Sequence, residues 1–222
     1  EVKANIGGKE LKISTGKIAK LAEGSVTVRY GDTIVLSSAS SSEMTIEEIN
    51  VLPLTVEYRE RAYSAGKIPG GFIKREGRPK ENEILAARLV DRSIRPLFPE
   101  TLMNEIQVMN FVLSYDLENY HDILGLLGTS SAISITNIPF KGPVAAIRVG
   151  KVNGRLVINP TNTELKTSLL DLVVVFAKTG VVMIEAGAME LAEDEMVAAM
   201  KFAEQPAMEL IRMQEELASK VK

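Results

Sequence analysis

The 222-residue chain contains no cysteine and one histidine, His121. The first absence removes disulfides, thiolate zinc sites and cysteine nucleophiles together, and fits a reducing compartment. The second removes any multi-histidine metal site. No long apolar run exists either: the longest, Leu172 to Ala177, is six residues, whereas a bilayer-spanning helix needs about 20. The opening residues, Glu1-Val2-Lys3-Ala4-Asn5, lack the charged-then-apolar layout of a secretion signal and start without methionine. The chain is therefore expected to be a piece of a longer cytoplasmic protein with no membrane partner. Nucleotide and metalloprotease signatures are missing too. Gly66-Lys67 does not close a P-loop, because Ile68 stands where Ser or Thr is required and Arg61 where the first glycine is required.

What is present is an ordinary globular composition, 45% apolar and 25% charged, with a net charge of −3. That net value hides an asymmetry. Lys67 to Arg95 carries eight basic residues against four acids and is locally +4, whereas Glu185 to Lys222 carries nine acids against four bases and is −5. Polyanion binding depends on where cations cluster, so the local excess outweighs the global deficit.

Alternation and turn residues place a hairpin over Ser25 to Ser38, turning at Gly31-Asp32, and a strand over Val51 to Tyr58. The segment that follows holds Gly66, Pro69, Gly70, Gly71, Gly77 and Pro79, too many breakers for regular structure, and reads as a long functional loop. A helix is expected over Glu81 to Arg95, with acids in its first turn and Arg92 and Arg95 in its last, stopped by Pro96. Ile106 to Ser114 has strand character. Asp122 to Ser134 reads as a small-residue helix whose Gly125, Gly128 and Ala132 admit close approach by another element. Asn153-Gly154 is the strongest hairpin signal, inside Ala145 to Ile158, and Leu172–Phe176 with Val181–Glu185 make a further pair turning at Thr179-Gly180. From about Leu191 the chain is helical, with Pro206 expected to kink or split it. The pattern describes one α+β domain over residues 1–222.

In the loop, Phe72 lies beside Lys74, Arg75 and Arg78 on a flexible backbone. An aromatic ring for stacking and cations for phosphates is how proteins hold single strands without reading sequence. Arg88, Arg92 and Arg95 follow at i, i+4 and i+7 and share one helix face. The competing reading is a solvated face with intrahelical pairs such as Asp91 with Arg95. His121 with Ser130 or Ser131 suggests a Ser/His arrangement, but a lone histidine before a helix is more often structural. Gly128-Thr129-Ser130-Ser131 has the hydroxyls and glycine of a phosphate cradle, and equally those of a face packed on a sheet.

Gly66-Lys67-Ile68-Pro69-Gly70-Gly71-Phe72, Arg75-Glu76-Gly77-Arg78-Pro79 and Ala87-Arg88-Leu89-Val90-Asp91-Arg92-Ser93-Ile94-Arg95-Pro96-Leu97-Phe98 closely resemble the first RNase PH-like core domain of the bacterial polynucleotide phosphorylases. Ile138-Pro139-Phe140, Arg148-Val149-Gly150, Asn159-Pro160-Thr161 and Met183-Ile184-Glu185-Ala186 extend the resemblance over nearly the whole chain. It implies a βαβα arrangement with mixed sheets and packed helices, with the start of a helical linker at about 205–222 and the second core, KH and S1-type domains lying outside. It implies phosphate-dependent 3′-to-5′ degradation of single-stranded RNA to nucleoside diphosphates, reversible to nucleotide addition, in mRNA turnover. Implied partners are RNA, two further copies in a homotrimeric ring, the second core domain and RNA-degradosome components. Phe72, Lys74, Arg75 and Arg78 correspond to a channel constriction that guides RNA. Ile73 and Lys74 stand where an aromatic and an arginine are common, which weakens one stacking surface and one phosphate fork.

The family's catalytic groups belong mainly to its second core: a serine-rich phosphate turn, two aspartates and a lysine. Aligned to that pattern, Asp171 takes the second aspartate position, but Leu165 and Val173 take the other two. Thr129, Ser130 and Ser131 fall on the phosphate turn as a vestigial site. The resemblance thus implies Mg2+ or Mn2+ and inorganic phosphate in the full-length enzyme and none held by this domain, which is expected to guide RNA and not to catalyse. The alternative is a stand-alone non-catalytic subunit of an exosome-like ring.

Overall fold

Hairpins build the first half of the chain, in a computed structural model that describes residues 1–45, 51–72 and 74–221. Ile73 and Lys222 lie outside the described residues. Strands β1 (Val2–Ile6) and β2 (Lys9–Thr15) turn at Gly7-Gly8, both left-handed at φ 57° and 82°, a two-glycine signal that sequence reasoning passed over. Strands β3 (Gly24–Tyr30) and β4 (Thr33–Thr45) turn at Gly31-Asp32 as expected. Then come β5 (Leu54–Glu60), a 3-10 turn over Ala62–Ala65, the glycine-rich loop, α1 (Glu81–Ile94), a second 3-10 turn over Arg95–Leu97, and β6 (Asn104–Ser114).

These strands form one six-stranded sheet in the order β1-β2-β3-β4-β6-β5. β5 pairs with β6 in parallel while the other pairs are antiparallel, so the sheet is mixed. A parallel pair needs a crossover, and the loop with α1 supplies it. Helix α1 lies on β5 with Ala86, Leu89, Val90 and Ile94 buried, which turns Arg88 and Arg92 outward.

Helix α2 (Asp122–Ser134) is buried at every position from Ile123 to Ile133. A helix apolar on all sides belongs in the interior, and this one packs against β3, β4 and β6 of the first sheet and β7 of the second. Gly125 and Gly128 allow the approach. A Cβ on Gly125 would meet the Tyr58 ring at 2.5 Å, and one on Gly128 would collide with the Ser37 side chain of β4.

The second sheet runs β10-β9-β7-β8, built from β7 (Val144–Val152), β8 (Arg155–Ile158), β9 (Leu170–Ala177) and β10 (Gly180–Ala188). Asn153-Gly154 makes the expected tight turn, both residues left-handed. The β9–β10 turn falls on Lys178-Thr179, one residue before its expected place, because Gly180 already pairs with Ala177. A short α3 (Asn162–Leu165) follows a Thr161/Glu164 capping box.

Helix α4 (Glu193–Val221) runs 29 residues with Pro206 inside it. The helix is not split at Pro206, one of the two outcomes expected there. Ala199, Ala203, Ala207, Leu210, Met213 and Leu217 stay buried along one face past the proline, and this continuous burial outweighs one lost backbone hydrogen bond. Gln214, fully buried, donates to the Val144 carbonyl at 2.9 Å and packs its side-chain oxygen 3.2 Å from the Ser131 hydroxyl, tying α4 to β7 and α2. One hydrophobic core joins both sheets. No helix among the described residues is long and apolar enough to cross a membrane.

Candidate nucleic-acid interface

The loop between β5 and α1 is fixed at both stems and open at its tip. On the incoming side, Gly66 caps the 3-10 turn at φ 67°, the Lys67 amide donates to the Ala62 carbonyl at 2.9 Å, and Ser64 binds the Tyr115 amide, holding the stem on the end of β6. On the outgoing side, the buried Glu83 accepts the Glu60 amide at 2.7 Å and the Lys80 amide at 2.6 Å, which caps α1 and anchors it to β5. Between the stems, Phe72 is 104% exposed, and Lys74, in the left-handed region at φ 50°, Arg75 and Arg78 are exposed. The side chains of Phe72, Lys74, Arg75 and Arg78 make no hydrogen bond or ion pair with another described residue. Under the loop lies a cavity of about 330 Å³ whose walls include Arg59, Arg61, Lys67, Arg75, Arg78 and Lys80.

The arginine stripe on α1 divides. Arg88 and Arg92 are exposed, unpaired among the described residues, and line a groove of about 640 Å³ between α1 and β5. Arg59 and Glu83 border both this groove and the loop cavity, so the two are contiguous. Arg95 is different. It makes four hydrogen bonds, two to Asp91 at 2.7 and 2.6 Å and two to the Leu52 and Leu54 carbonyls at 2.9 and 3.2 Å. The Asp91 carboxylate holds its guanidinium above the usual value. With four of its five N–H groups committed, Arg95 is framework and leaves the set of candidate RNA contacts.

The Thr129–Ser131 phosphate turn is also corrected. These residues sit in the second half of α2, at most 1% exposed, with helical amides that are not free for an anion. Their hydroxyls are spent internally. Thr129 donates to Asn110 at 3.0 Å, Ser130 accepts from the Val144 amide at 2.8 Å, and Ser131 donates to the Leu127 carbonyl at 2.7 Å.

Asp171, on β9, faces Arg148 of β7. The Arg148 Nε lies 3.2 Å from Asp171, its Nη2 lies 3.0 Å from Asp122, and its guanidinium stacks 3.8 Å above the Tyr120 ring. With Leu165 and Val173 at the neighbouring family positions and an arginine already beside the one carboxylate, this donor set does not fit a divalent metal. No group of three or more metal-ligating side chains occurs among the described residues. Arg148 was missed by sequence reasoning, although one charge inside the apolar run Val144–Val149 is a signal. His121 does not meet Ser130 or Ser131. Its Nδ1 lies 2.8 Å from the buried Tyr58 hydroxyl, whose pKa burial pushes well up, and its Nε2 lies 3.3 Å from Glu60. The His121 contact holds the Glu60 carboxyl below its ordinary value.

Residues 7–139 match domain 1 of the 3′ exoribonuclease family, and residues 142–205 match its domain 2. The chain belongs to the 3′ exoribonuclease family. The boundary between the two matches falls in the connection from α2 to β7, where the chain leaves one sheet for the other. This family member is 49% identical over 221 residues to the polyribonucleotide nucleotidyltransferase of Gemmatimonas aurantiaca, covering 100% of the chain and 30% of the relative. It is 54% identical over 198 residues to that of Granulibacter bethesdensis, covering 89% and 28%. The chain thus spans about 30% of the length of these curated relatives and corresponds to an RNase PH-like core domain of such an enzyme. The crystal structure of rice Rrp46 superposes with a TM-score of 0.74 at 14% identity, covering 98% of this chain and 96% of the other, and shows the same fold.

Proposed function

We propose that this domain guides single-stranded RNA within a phosphate-dependent 3′-to-5′ exoribonuclease, and that the bond-breaking step belongs to a part of the protein outside residues 1–222. The observation that carries the reading is the set of unpartnered cations Lys74, Arg75, Arg78, Arg88 and Arg92, with exposed Phe72, along one contiguous loop and groove. Cations that no carboxylate neutralises are what a polyphosphate backbone requires, and an exposed ring stacks on any base. The region aligned with the family's catalytic groups supports the second half of the reading, because Asp171 is countered by Arg148 and the hydroxyls of Thr129, Ser130 and Ser131 are buried. In the full-length enzyme, phosphate and Mg2+ or Mn2+ would serve the second core, in the cytoplasm.

Assembly into a ring is part of the same proposal, with other RNase PH-type domains as the neighbours. Strand β10 is a sheet edge with Ile184 to Ala188 exposed, apolar apart from Glu185, and α1 presents exposed Ile84 and Leu85 across a groove of about 560 Å³ that Glu185, Arg88 and Arg92 also line, so the cover would share these two arginines with the RNA path. Such an edge demands a cover.

The test is RNA binding against salt. The slope of log affinity on log salt is expected to fall by roughly 0.7 for each phosphate contact removed when Lys74, Arg75 and Arg78 are changed to Ala. An unchanged slope removes the loop from the RNA path, and phosphate-dependent release of nucleoside diphosphates by residues 1–222 alone overturns the non-catalytic assignment.

A further inference from the structure

One acid sits inside the basic loop, and its position is specific. The Glu76 carboxylate accepts the Ala62 amide at 2.5 Å through Oε1 and the Arg61 guanidinium at 2.7 Å through Oε2. It therefore joins the outgoing arm of the loop to the incoming arm, 14 residues earlier in the chain. One residue on, the Gly77 carbonyl accepts from Arg59 at 3.1 Å. The Ala62 and Arg61 bonds keep the Glu76 carboxyl below its ordinary value, so it is ionised throughout the neutral range. Arg61 is itself seated on the sheet, with its guanidinium 6.0 Å from the Phe111 ring. The stretch between Lys67 and Glu76 contains Pro69, Gly70 and Gly71 and exposes Ile68, Phe72, Lys74 and Arg75. Without a tie at Glu76, this stretch would stay loose as far as the Gly77 and Lys80 anchors.

We infer that Glu76 is a positioning residue for RNA: a clasp that closes the base of the loop and holds Phe72, Lys74, Arg75 and Arg78 in one presentation. The inference rests on the RNA-guiding reading above. Its energetic logic is preorganisation. A ligand that binds one loop arrangement loses apparent affinity in proportion to the fraction of molecules that hold that arrangement. Electrostatics alone makes the opposite prediction, since removing an acid from a basic loop strengthens attraction for a polyanion. The sign of the effect therefore separates the two.

The experiment uses Glu76→Ala and Glu76→Gln, with the Lys74, Arg75 and Arg78 triple alanine variant in parallel. Two readouts are taken: affinity for a fluorescent single-stranded RNA over a salt series, and tryptic cleavage after Lys67, Lys74 and Arg75. Glu76→Ala is expected to weaken RNA binding by roughly three- to ten-fold with an unchanged salt slope, because the cations remain, and to speed cleavage several-fold. Glu76→Gln, which keeps the Ala62 bond and loses the ion pair, falls between. The thermal midpoint stays at the wild-type value, as the clasp lies outside the core. Unchanged or tighter RNA binding by Glu76→Ala, or an unchanged cleavage rate, overturns the clasp. If instead the triple variant keeps its slope, the RNA reading fails, and the cleavage rate still decides whether Glu76 orders the loop.

Discussion

The β5–α1 loop with the outer face of α1, and the interior around α2 and β7, carry similar polar chemistry and use it in opposite ways. In the first region, five cations and an aromatic ring face solvent without partners. In the second, the hydroxyls of Thr129, Ser130 and Ser131 are hydrogen-bonded internally, and Arg148 is ion-paired with Asp122 and Asp171 although its buried Nε and Nη1 make no hydrogen bond. Spare hydrogen-bonding capacity at a surface is what a ligand can use, whereas capacity consumed inside the fold specifies packing. Residue type alone does not distinguish the two. Arg88 and Arg95 are the same residue seven positions apart, one on α1 and one just past its end; the first is free and the second is a bracket between α1 and the chain entering β5.

The sharpest way to break this contrast is Arg148→Met. Removing the guanidinium leaves the mostly buried Asp122 without its partner and the half-exposed Asp171 free to rehydrate. The expected loss is about 2–4 kcal/mol of stability, read as a lower thermal midpoint. RNA affinity of the folded protein should not change; a large change would place Arg148 on the RNA path. Next comes the arginine stripe. Arg95→Ala is expected to cost about 1–2 kcal/mol of stability with the salt slope intact, while the double change of Arg88 and Arg92 to Ala should lower the slope by roughly 1.4 and leave the midpoint nearly unmoved. Equal behaviour of the two variants would erase the distinction.

The smallest effect concerns pH. The Glu60 carboxyl is depressed chiefly by its His121 contact, so the stabilisation it brings is present above the ordinary carboxylate value and is lost as pH falls through its own lower value. Glu60→Gln should therefore be less stable than wild type at neutral pH, by up to about 1 kcal/mol. The two should converge only once the pH has fallen below the lowered value of the folded Glu60 carboxyl, as measured by denaturant midpoints; a gap that persists into strong acid would mean that Glu60 acts by packing alone.

Hairpins were legible because a turn is a local event. Gly31-Asp32 and Asn153-Gly154 carry their geometry in two residues, and Gly7-Gly8 was equally readable. Helix α1 was legible from its end charges and Pro96, and the free cations from clustering. The continuity of α4 through Pro206 was not, since the burial that sustains it comes from β1, β7 and β9, far away in sequence. Nor was the fate of the hydroxyls in α2, because glycine with serine and threonine reads alike as a phosphate turn and as a helix pressed against a sheet.

The sequence by itself determined the family, the strand-and-turn order, and the place where positive charge accumulates, all of which depend on residues near one another in the chain. Only the tertiary structure decided which polar groups remain available. It withdrew Arg95, buried Thr129 to Ser131, set Arg148 against Asp171 and joined Glu76 to Arg61, because hydrogen-bond satisfaction is settled between elements that the chain brings together only on folding.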